Sequence, residues 1–290
     1  MCQIGFSLQT NYPLPMEQVL GLLKEAGFSA VSPLWSPELD LAAIDAQTRA
    51  LGMTIQSLHA PHKRIQLLWE PDTREAVEIQ ENILRCIDAC ARYHIPTMVI
   101  HGWQGLFYTF SAESLDFRFF DRMVAHAQQQ GVQIAFENLE GEEYLQALLK
   151  RYADQPHVGF CWDSGHDHCY PHKMDFLKHF GHRLIMTHLN DNYGLRDPDG
   201  VPSGNDDLHL LPYDGNICWE EALRRLSSAP RQAILNFELK LSSHSKNPAD
   251  LLYQQLPLEE FIRIAGQRAR RIAQLYQACI AAGDGVEAFR

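Results

Sequence analysis

The sequence predicts an α/β fold in which a single domain, residues 1–290, forms a (β/α)8 barrel. Short apolar runs recur eight times and alternate with helical stretches, which implies a parallel sheet. A Gly or Pro stands before most of these runs and marks the end of the preceding helix. The runs are rich in Val, Ile and Phe, as expected for strands that are buried on both faces.

The joints between helices and strands place each element along the chain. They read KEAGFSAVSP, RALGMTIQSL, ARYHIPTMVI, AQQQGVQIAF and DQPHVGFCW, and each passes from a helical stretch through a turn residue into an apolar run. Eight units in 290 residues fit one barrel, which is typically about 250 residues long. We predict strands at residues 3–8, 28–34, 53–59, 97–101, 132–137, 157–163, 184–190 and 233–239.

The composition is that of a globular chain, and it disfavours membrane and nucleic-acid partners. The chain is 46% hydrophobic, has no run of about 18 apolar residues, and has no signal-peptide pattern at its N-terminus. Its seven cysteines form no CxxC pair, which favours reduced core thiols and a cytoplasmic location. The net charge of −11 disfavours a broad phosphate-binding surface, so we expect neither a membrane nor a nucleic-acid partner.

Acidic and imidazole side chains stand at the ends of the predicted strands or in the loops that follow them. A lone buried carboxylate is costly, so such a group must be solvated, paired or bound to a metal. In a (β/α)8 barrel the C-terminal strand ends converge on one face, whereas an open doubly wound sheet would spread them along a crevice. The pattern therefore favours the barrel and predicts one site from His59, His101, Glu137, Asp163, His166, His188, Asp207, His209 and Glu238.

The ordered segments LHAPH, VIHG, FENLEG, CWDSGH, THLNDN, DLHLLPYDG and FELK resemble the xylose isomerase-like TIM-barrel superfamily. This superfamily includes sugar and sugar-phosphate isomerases and epimerases and the endonuclease IV enzymes. The fragment HLLPYDGNICW is similar to an H-x-x-P-G-x-G-x-I-x-W loop of the epimerase branch. In this sequence Tyr213, Asp214 and Gly215 replace the usual glycine-rich turn, which puts the loop geometry in question.

The resemblance to the epimerase branch implies a divalent-metal-dependent isomerase or epimerase of a small sugar, sugar phosphate or polyol. Three carboxylates and one imidazole suit Mn²⁺, Zn²⁺, Co²⁺ or Mg²⁺. The two glutamates are expected to move protons on opposite faces of the substrate, and His166 to hydrogen-bond a polarised oxygen. The metal ligands implied by the resemblance are Glu137, Asp163, His188 and Glu238.

The endonuclease IV branch implies a different function, because it holds three zinc ions with nine residues and this chain has a candidate at each position. His59, His101, His166, Asp207 and His209 are then either additional metal ligands or contacts of a sugar substrate. The loops after strands 1 and 2, SLQTNYPLP and SPLWSPELD, contain no Lys or Arg for phosphate contacts. This favours the sugar enzyme over a phosphodiesterase. A non-catalytic scaffold is the least favoured alternative, because a binding module has no need for three clustered carboxylates, and the number of ions stays open.

Three further side chains are weaker candidates for substrate contacts. Trp35 and Trp103 lie in predicted loops on the active face, where they would either stack on a sugar ring or pack between loops. Lys240 is two residues beyond Glu238, so strand alternation points it toward the same side, for a sugar hydroxyl or a phosphate. An ordinary surface lysine is the alternative. The sequence leaves the substrate and any homo-oligomer undetermined.

Overall fold

The computed structural model describes residues 2–9, 11–170, 172–197, 199–241 and 251–287. The strands are β1 (Gln3–Leu8), β2 (Ala30–Pro33), β3 (Thr54–Ile55), β4 (Ser57–His59), β5 (Thr97–His101), β6 (Gln133–Glu137), β7 (Val158–Asp163), β8 (Leu184–His188) and β9 (Ile234–Phe237). The helices are α1 (Met16–Glu25), α2 (Leu41–Ala50), α3 (Arg74–Arg92), α4 (Arg118–Gln130), α5 (Glu142–Arg151), α6 (Ser164–Cys169), α7 (Phe176–Phe180), α8 (Trp219–Leu226) and α9 (Leu258–Glu287).

The strands form a closed parallel barrel, which confirms the predicted fold class. Four strands pair in the order β3-β2-β1-β9 and five in the order β4-β5-β6-β7-β8. Two parallel bridges join these sheets, one between Leu34 and His59 and the other between Leu189 and Phe237. The ring is therefore continuous, and all carboxyl ends of the strands lie at the same mouth.

The third predicted strand, residues 53–59, is divided at Gln56 into β3 and β4. The first part pairs with β2 and the second pairs with β5. The backbone N–H of Gln56 still donates to the carbonyl of Val31 on β2, at 2.9 Å. The division marks the place where the ring passes from one sheet to the other, which alternation of apolar residues along the sequence does not reveal.

Alternation along the strands separates the barrel interior from the layer under the helices. On β5 to β8, the inward residues Val99, Ala135, Cys161 and Met186 form a small apolar cluster of their own. The register pairs Val99 with Ala135 and Cys161 with Met186. Two residues further along, each strand ends in a polar side chain, so this cluster is the apolar floor beneath the mouth of the barrel.

The outward residues of the same strands pack against the helices. The main hydrophobic core buries Ile100, Phe136, Phe160 and Trp162.

Within the described residues, no helix is both long enough and apolar enough to cross a membrane. All seven cysteines are free thiols, and five of them are buried.

Candidate metal centre

The strand register brings the polar strand ends of β5 to β8 to one level. His101 is paired with Glu137, and Asp163 is paired with His188. Glu238 directly follows β9, where its N–H donates to the carbonyl of Leu189 at 3.1 Å. The barrel thus places side chains that are up to 137 positions apart in the sequence (101 to 238) around one point above the apolar floor.

Glu137 is the centre of this arrangement. Its Oε2 lies 3.2 Å from Nε2 of His59 and 3.4 Å from Nε2 of His101. Its Oε1 lies 3.1 Å from Nδ1 of His188 and 3.4 Å from Nδ1 of His166. The side chain of Glu137 has no exposed surface. One buried carboxylate is therefore shared by four imidazoles.

Asp163 is held in place by the polar residues around it. Its carboxylate accepts hydrogen bonds from Nδ2 of Asn190 at 2.9 and 3.1 Å and from the backbone N–H of His166 at 2.7 Å. The Asn138 side chain bonds the backbone of Asp163 in both directions, donating to its carbonyl and accepting from its N–H. Asp163 also caps the N-terminus of α6, which fixes the direction of the carboxylate.

Glu238 connects the remaining residues to this group. Its Oε2 lies 2.9 Å from Nδ1 of His188, and its Oε1 lies 3.2 Å from Nε2 of His209. Nδ1 of His209 is 2.9 Å from Asp207, and Nε2 of His166 is 3.4 Å from the other oxygen of Asp207. All nine strand-end and loop residues predicted from the sequence therefore lie in one connected cluster.

Within this cluster, several sets of side chains place one ligand atom each within 4.8 Å of one another. The set of four is the one implied by the sequence resemblance, Glu137, Asp163, His188 and Glu238. Glu137 also belongs to two other sets. The sets of three are His59, His101 and Glu137; Glu137, Cys161 and His188; and Asp163, His166 and His209.

The loop that carries Asp207 and His209 has the conformation of a glycine-rich turn without all of its glycines. His209 and Tyr213 have positive φ angles of 52° and 75°, which side chains other than glycine rarely adopt. Arg271 lies over the Tyr213 ring at 4.7 Å from its centroid. Gly215 has no room for a Cβ, because one would collide with the carboxylate of Asp191. The departure noted in the sequence changes the residues of this turn and keeps its tight backbone.

A family model described as xylose isomerase-like TIM barrel matches residues 20–257. This chain belongs to that family. A curated relative from Sinorhizobium fredii, the uncharacterized protein y4fM, is 30% identical over 295 residues, which covers 86% of this chain and 90% of the relative. The family assignment agrees with the resemblance that the sequence motifs carry.

Solved structures extend the likeness to the whole barrel. An IOLI protein solved with a binding zinc atom has a TM-score of 0.73 at 17% identity, covering 94% of this chain and 99% of the other. An L-ribulose 3-epimerase has a TM-score of 0.75 at 12% identity, covering 99% and 98%. At these identities the likeness shows a shared fold, and the function has to be argued from the site.

The side chains of this family member fit a divalent metal ion. Among the described residues, Oε1 of Glu137, Nδ1 of His188 and Oδ1 of Asp207 lie 2.9–3.1 Å from a group of opposite charge, but none of these buried atoms has a partner in hydrogen-bond geometry. Each such atom costs about 1–3 kcal/mol if nothing satisfies it. His59 and His166 each use Nδ1 on a backbone carbonyl, at 2.7 and 2.9 Å, which leaves Nε2 of both rings facing the cluster. Backbone bonds of this kind are common in metal-binding histidines.

In the metal-free protein, protonated histidines supply the positive charge that balances the buried carboxylates. Burial raises the pKa of Asp163 to about 6, although His166 acts in the opposite direction. Burial also works against charge on Glu137, but His188 and His101 outweigh it and keep its pKa well below the usual range. Burial likewise disfavours the charged His188, yet Cys161, Glu137 and Glu238 together raise its pKa well above the usual range. A bound ion would have to displace such protons.

A cavity of about 400 Å³ opens onto the cluster, a size that suits a small molecule. Of the four residues in the largest ligand set, Glu238 lines this cavity, and Glu137, Asp163 and His188 lie behind its wall. The imidazoles that line it are His59, His62, His101, His166 and His209, and the acids are Glu140, Asp207 and Glu238. A substrate in the cavity would therefore contact one face of the cluster, on which Glu238 is accessible.

The three weaker candidates lie in different surroundings. Trp35 donates from Nε1 to Asn82 at 3.1 Å, and Trp103 stacks on Tyr144 with ring centroids 4.1 Å apart. Neither tryptophan is among the residues that line the cavity, and their partners Asn82 and Tyr144 lie on α3 and α5, so both tryptophans pack against helices. Lys240 does line the cavity, and its Nζ lies 3.1 Å from both ring nitrogens of His209.

Sequence reasoning missed the residues that support the cluster. Asn138 and Asn190 hold Asp163, and Asp191 holds the turn that carries His209. A signal was present, because THLNDN places three polar residues directly after a buried strand, and all three are fully buried. Glu140 was missed too. It follows β6, lines the cavity, and accepts a hydrogen bond of 2.7 Å from the N–H of Gly105.

Proposed function

We propose that this protein is a divalent-metal-dependent isomerase or epimerase of a small carbohydrate. The observation that carries the proposal is the placement of Glu238. It belongs to the four-residue ligand set and also lines the cavity, so one carboxylate faces both the site of the ion and the site of the substrate. The other three members of the set lie behind it as a buried frame.

The protein's own groups supply the proton transfer. A divalent ion bound by the four residues would supply Lewis acidity that eases loss of a proton next to a carbonyl. Glu238 has a side chain that is 19% exposed, so it can reach a substrate C–H in the cavity. Burial opposes charge on Glu238, but His188 and His209 outweigh it and hold its pKa well below the usual range, so the carboxylate is in the unprotonated form that a base requires.

A second residue must return a proton to the substrate on the face opposite Glu238. We predict this role for Glu137 from the family resemblance, yet its carboxylate is fully buried and lies outside the cavity lining. Its four imidazole contacts make it the ligand that holds the cluster together. Among the lining acids, Glu140 and Asp207 face the substrate space besides Glu238. Burial raises the pKa of Glu140, whereas burial of Asp207 is outweighed by His209 and His166, which hold its pKa well below the usual range. Proton return from Glu140 is therefore the alternative to Glu137.

A zinc phosphodiesterase is the second candidate, and a specific observation favours it. His166, Asp207 and His209 contact one another at 2.9 to 3.4 Å through Asp207, next to the four-residue set. His59, His101 and Glu137 form a further set on the other side. The cluster therefore has donors for more than one ion. Against this candidate, residues 9–15 and 34–40 after the first two strands contain no Lys or Arg to hold a nucleic acid.

Metal content and substrate range together test the proposal. Protein purified with Mn²⁺ or Zn²⁺ is analysed for bound metal and incubated with a panel of ketoses, aldoses and their phosphates, and separately with an abasic-site duplex. We expect one tightly bound ion per chain and interconversion of at least one sugar pair. About three zinc ions per chain with incision of the abasic duplex would establish the phosphodiesterase instead.

A further inference from the structure

Lys240 is the residue that the proposed function does not explain. It lies just after β9, where its N–H donates to the carbonyl of His209 at 3.1 Å. Its ammonium group lines the cavity beside the imidazole of His209. It is the one Lys or Arg among the lining residues of that cavity. A positive charge is thus placed in the substrate space, next to the metal cluster.

No acidic side chain within the described residues forms an ion pair with Lys240. The nearest candidate by sequence is Glu238, and its two oxygens face His188 and His209 at 2.9 and 3.2 Å. Of the other lining acids, Asp207 faces His209 and His166 at 2.9 and 3.4 Å, and Glu140 accepts from the N–H of Gly105. A partly buried ammonium without a counterion is unfavourable, so this position favours an anion supplied from outside.

Strand β1 adds hydrogen-bonding groups on the same side of the cavity. Its register with β9 pairs Phe6 with Phe237, so continuation of the two strands brings Gln9 level with Lys240. Gln9 and Asn11 both line the cavity. Their side-chain amides can donate to the oxygens of a planar or tetrahedral anion. One cation and two amides, none of which belongs to a ligand set, thus line the cavity beside His209.

We propose that Lys240, together with Gln9 and Asn11, binds a carboxylate or phosphate group of the substrate, so that the substrate is an acidic sugar derivative. This inference rests on the proposed function and narrows it. A neutral sugar would leave the ammonium unpaired, whereas an oxyanion would form a charge-assisted hydrogen bond with it. The carbons that react would lie toward Glu238, and the anionic end would lie toward β1.

Calorimetric binding of matched probes to the manganese-loaded protein tests this subsite. The probes are fructose, fructose 6-phosphate and glucuronate, and the variants are Lys240→Met and Lys240→Arg. Lys24→Met, on the exposed surface of α1, is the matched control for the loss of one positive charge. We expect at least one anionic probe to bind wild type about 10-fold or more tightly than fructose, as expected for a hydrogen bond between charged groups.

In Lys240→Met this preference should disappear, because affinity for the anionic probe should fall far more than affinity for fructose, and Lys24→Met should keep the preference. Lys240→Arg should retain part of it. Preference for fructose 6-phosphate would identify a phosphate subsite, and preference for glucuronate would identify a carboxylate subsite. Equal affinity for all three probes, no measurable binding of either anion, or equal losses for fructose and the anions in Lys240→Met would overturn the inference. An anion preference that depends on Lys240 in a protein that converts no sugar would leave this subsite standing and defeat the proposed function alone.

Discussion

Nε1 of Trp219 donates a hydrogen bond of 3.0 Å to the buried carboxylate of Asp191. The backbone N–H groups of Tyr213 and Ile217 donate to the same carboxylate at 2.8 and 3.1 Å. In addition, the backbones of Asp191 and Leu210 are joined by two hydrogen bonds of 2.8 and 2.9 Å. One acid next to the end of β8 thereby holds the turn that follows Asp207 and His209.

Asp191→Asn should therefore destabilise the metal-free protein by about 2–4 kcal/mol, because an amide offers one acceptor oxygen and leaves buried donors unpaired. Asp214→Asn is the matched control. Asp214 lies in the same turn, accepts from the Tyr253 hydroxyl at 2.6 Å, and is 22% exposed, so we expect a smaller loss. Urea unfolding measures both variants. Equal losses of unfolding free energy in the two variants would show that Asp191 stabilises the turn no more than Asp214 does.

Glu137→Gln should remove more metal than His101→Ala. Glu137 belongs to the set with His59 and His101 as well as to the set with Asp163, His188 and Glu238. His101→Ala should leave the four-residue set intact, with tight binding of the first ion nearly unchanged. Metal analysis after gel filtration gives the counts, and Glu140→Gln, outside every ligand set, serves as control. A Glu137→Gln protein that keeps the wild-type metal count would disprove the shared role.

Glu238→Gln should abolish turnover of a true substrate, with a loss of about 10²–10⁴-fold from the missing base, and should also weaken metal binding. In deuterated water the wild type should introduce deuterium at one carbon, and the variant should introduce none. Glu259→Gln, on the exposed first turn of α9, removes a carboxylate that belongs neither to the cavity lining nor to any ligand set, and it should behave as wild type. Wild-type turnover without solvent deuterium would indicate a hydride shift and remove Glu238 from the role of base.

Metal-free protein should become less stable as the pH rises above about 6.5. Burial opposes the charged form of His209, but Asp207 outweighs it and raises its pKa from 6.5 to about 8. The pKa of His188 is raised as well. A raised pKa in the folded state adds stability that is fully present below the unfolded value and is lost as the pH rises through the folded value. For His209 this is about 2 kcal/mol.

Thermal unfolding between about pH 6 and about pH 9 checks this expectation in the presence and absence of metal. The melting temperature of the metal-free protein should fall over this interval. That of the zinc-loaded protein should not fall, because the ion takes the place of the protons and competes better as they become scarcer. A metal-free melting temperature that rises with pH would contradict the raised histidine pKa values.

Local sequence signals were sufficient for the barrel and for the ligand candidates. The strands β1, β5, β6 and β7 lie within one residue of their predicted bounds, because Gly or Pro stops before apolar runs are encoded over a few residues. A carboxylate at the end of an apolar strand is also encoded over a few residues, so the sequence shows it directly. Glu137, Asp163 and Glu238 could be selected from the sequence because no apolar environment tolerates them unpaired.

The fold class, the family resemblance and the nine residues that could meet at the barrel mouth could thus be predicted from local patterns. The grouping of these residues into sets and the position of Glu238 at the cavity, with Glu137 behind it, depend on the folded chain. The packing of Trp35 and Trp103 against α3 and α5 depends on it as well. The division at Gln56 and the support of Asp163 by Asn190 also arise from pairing between distant segments. Distances, burial and charge partners depend on contacts across the ring, and a linear pattern does not record them.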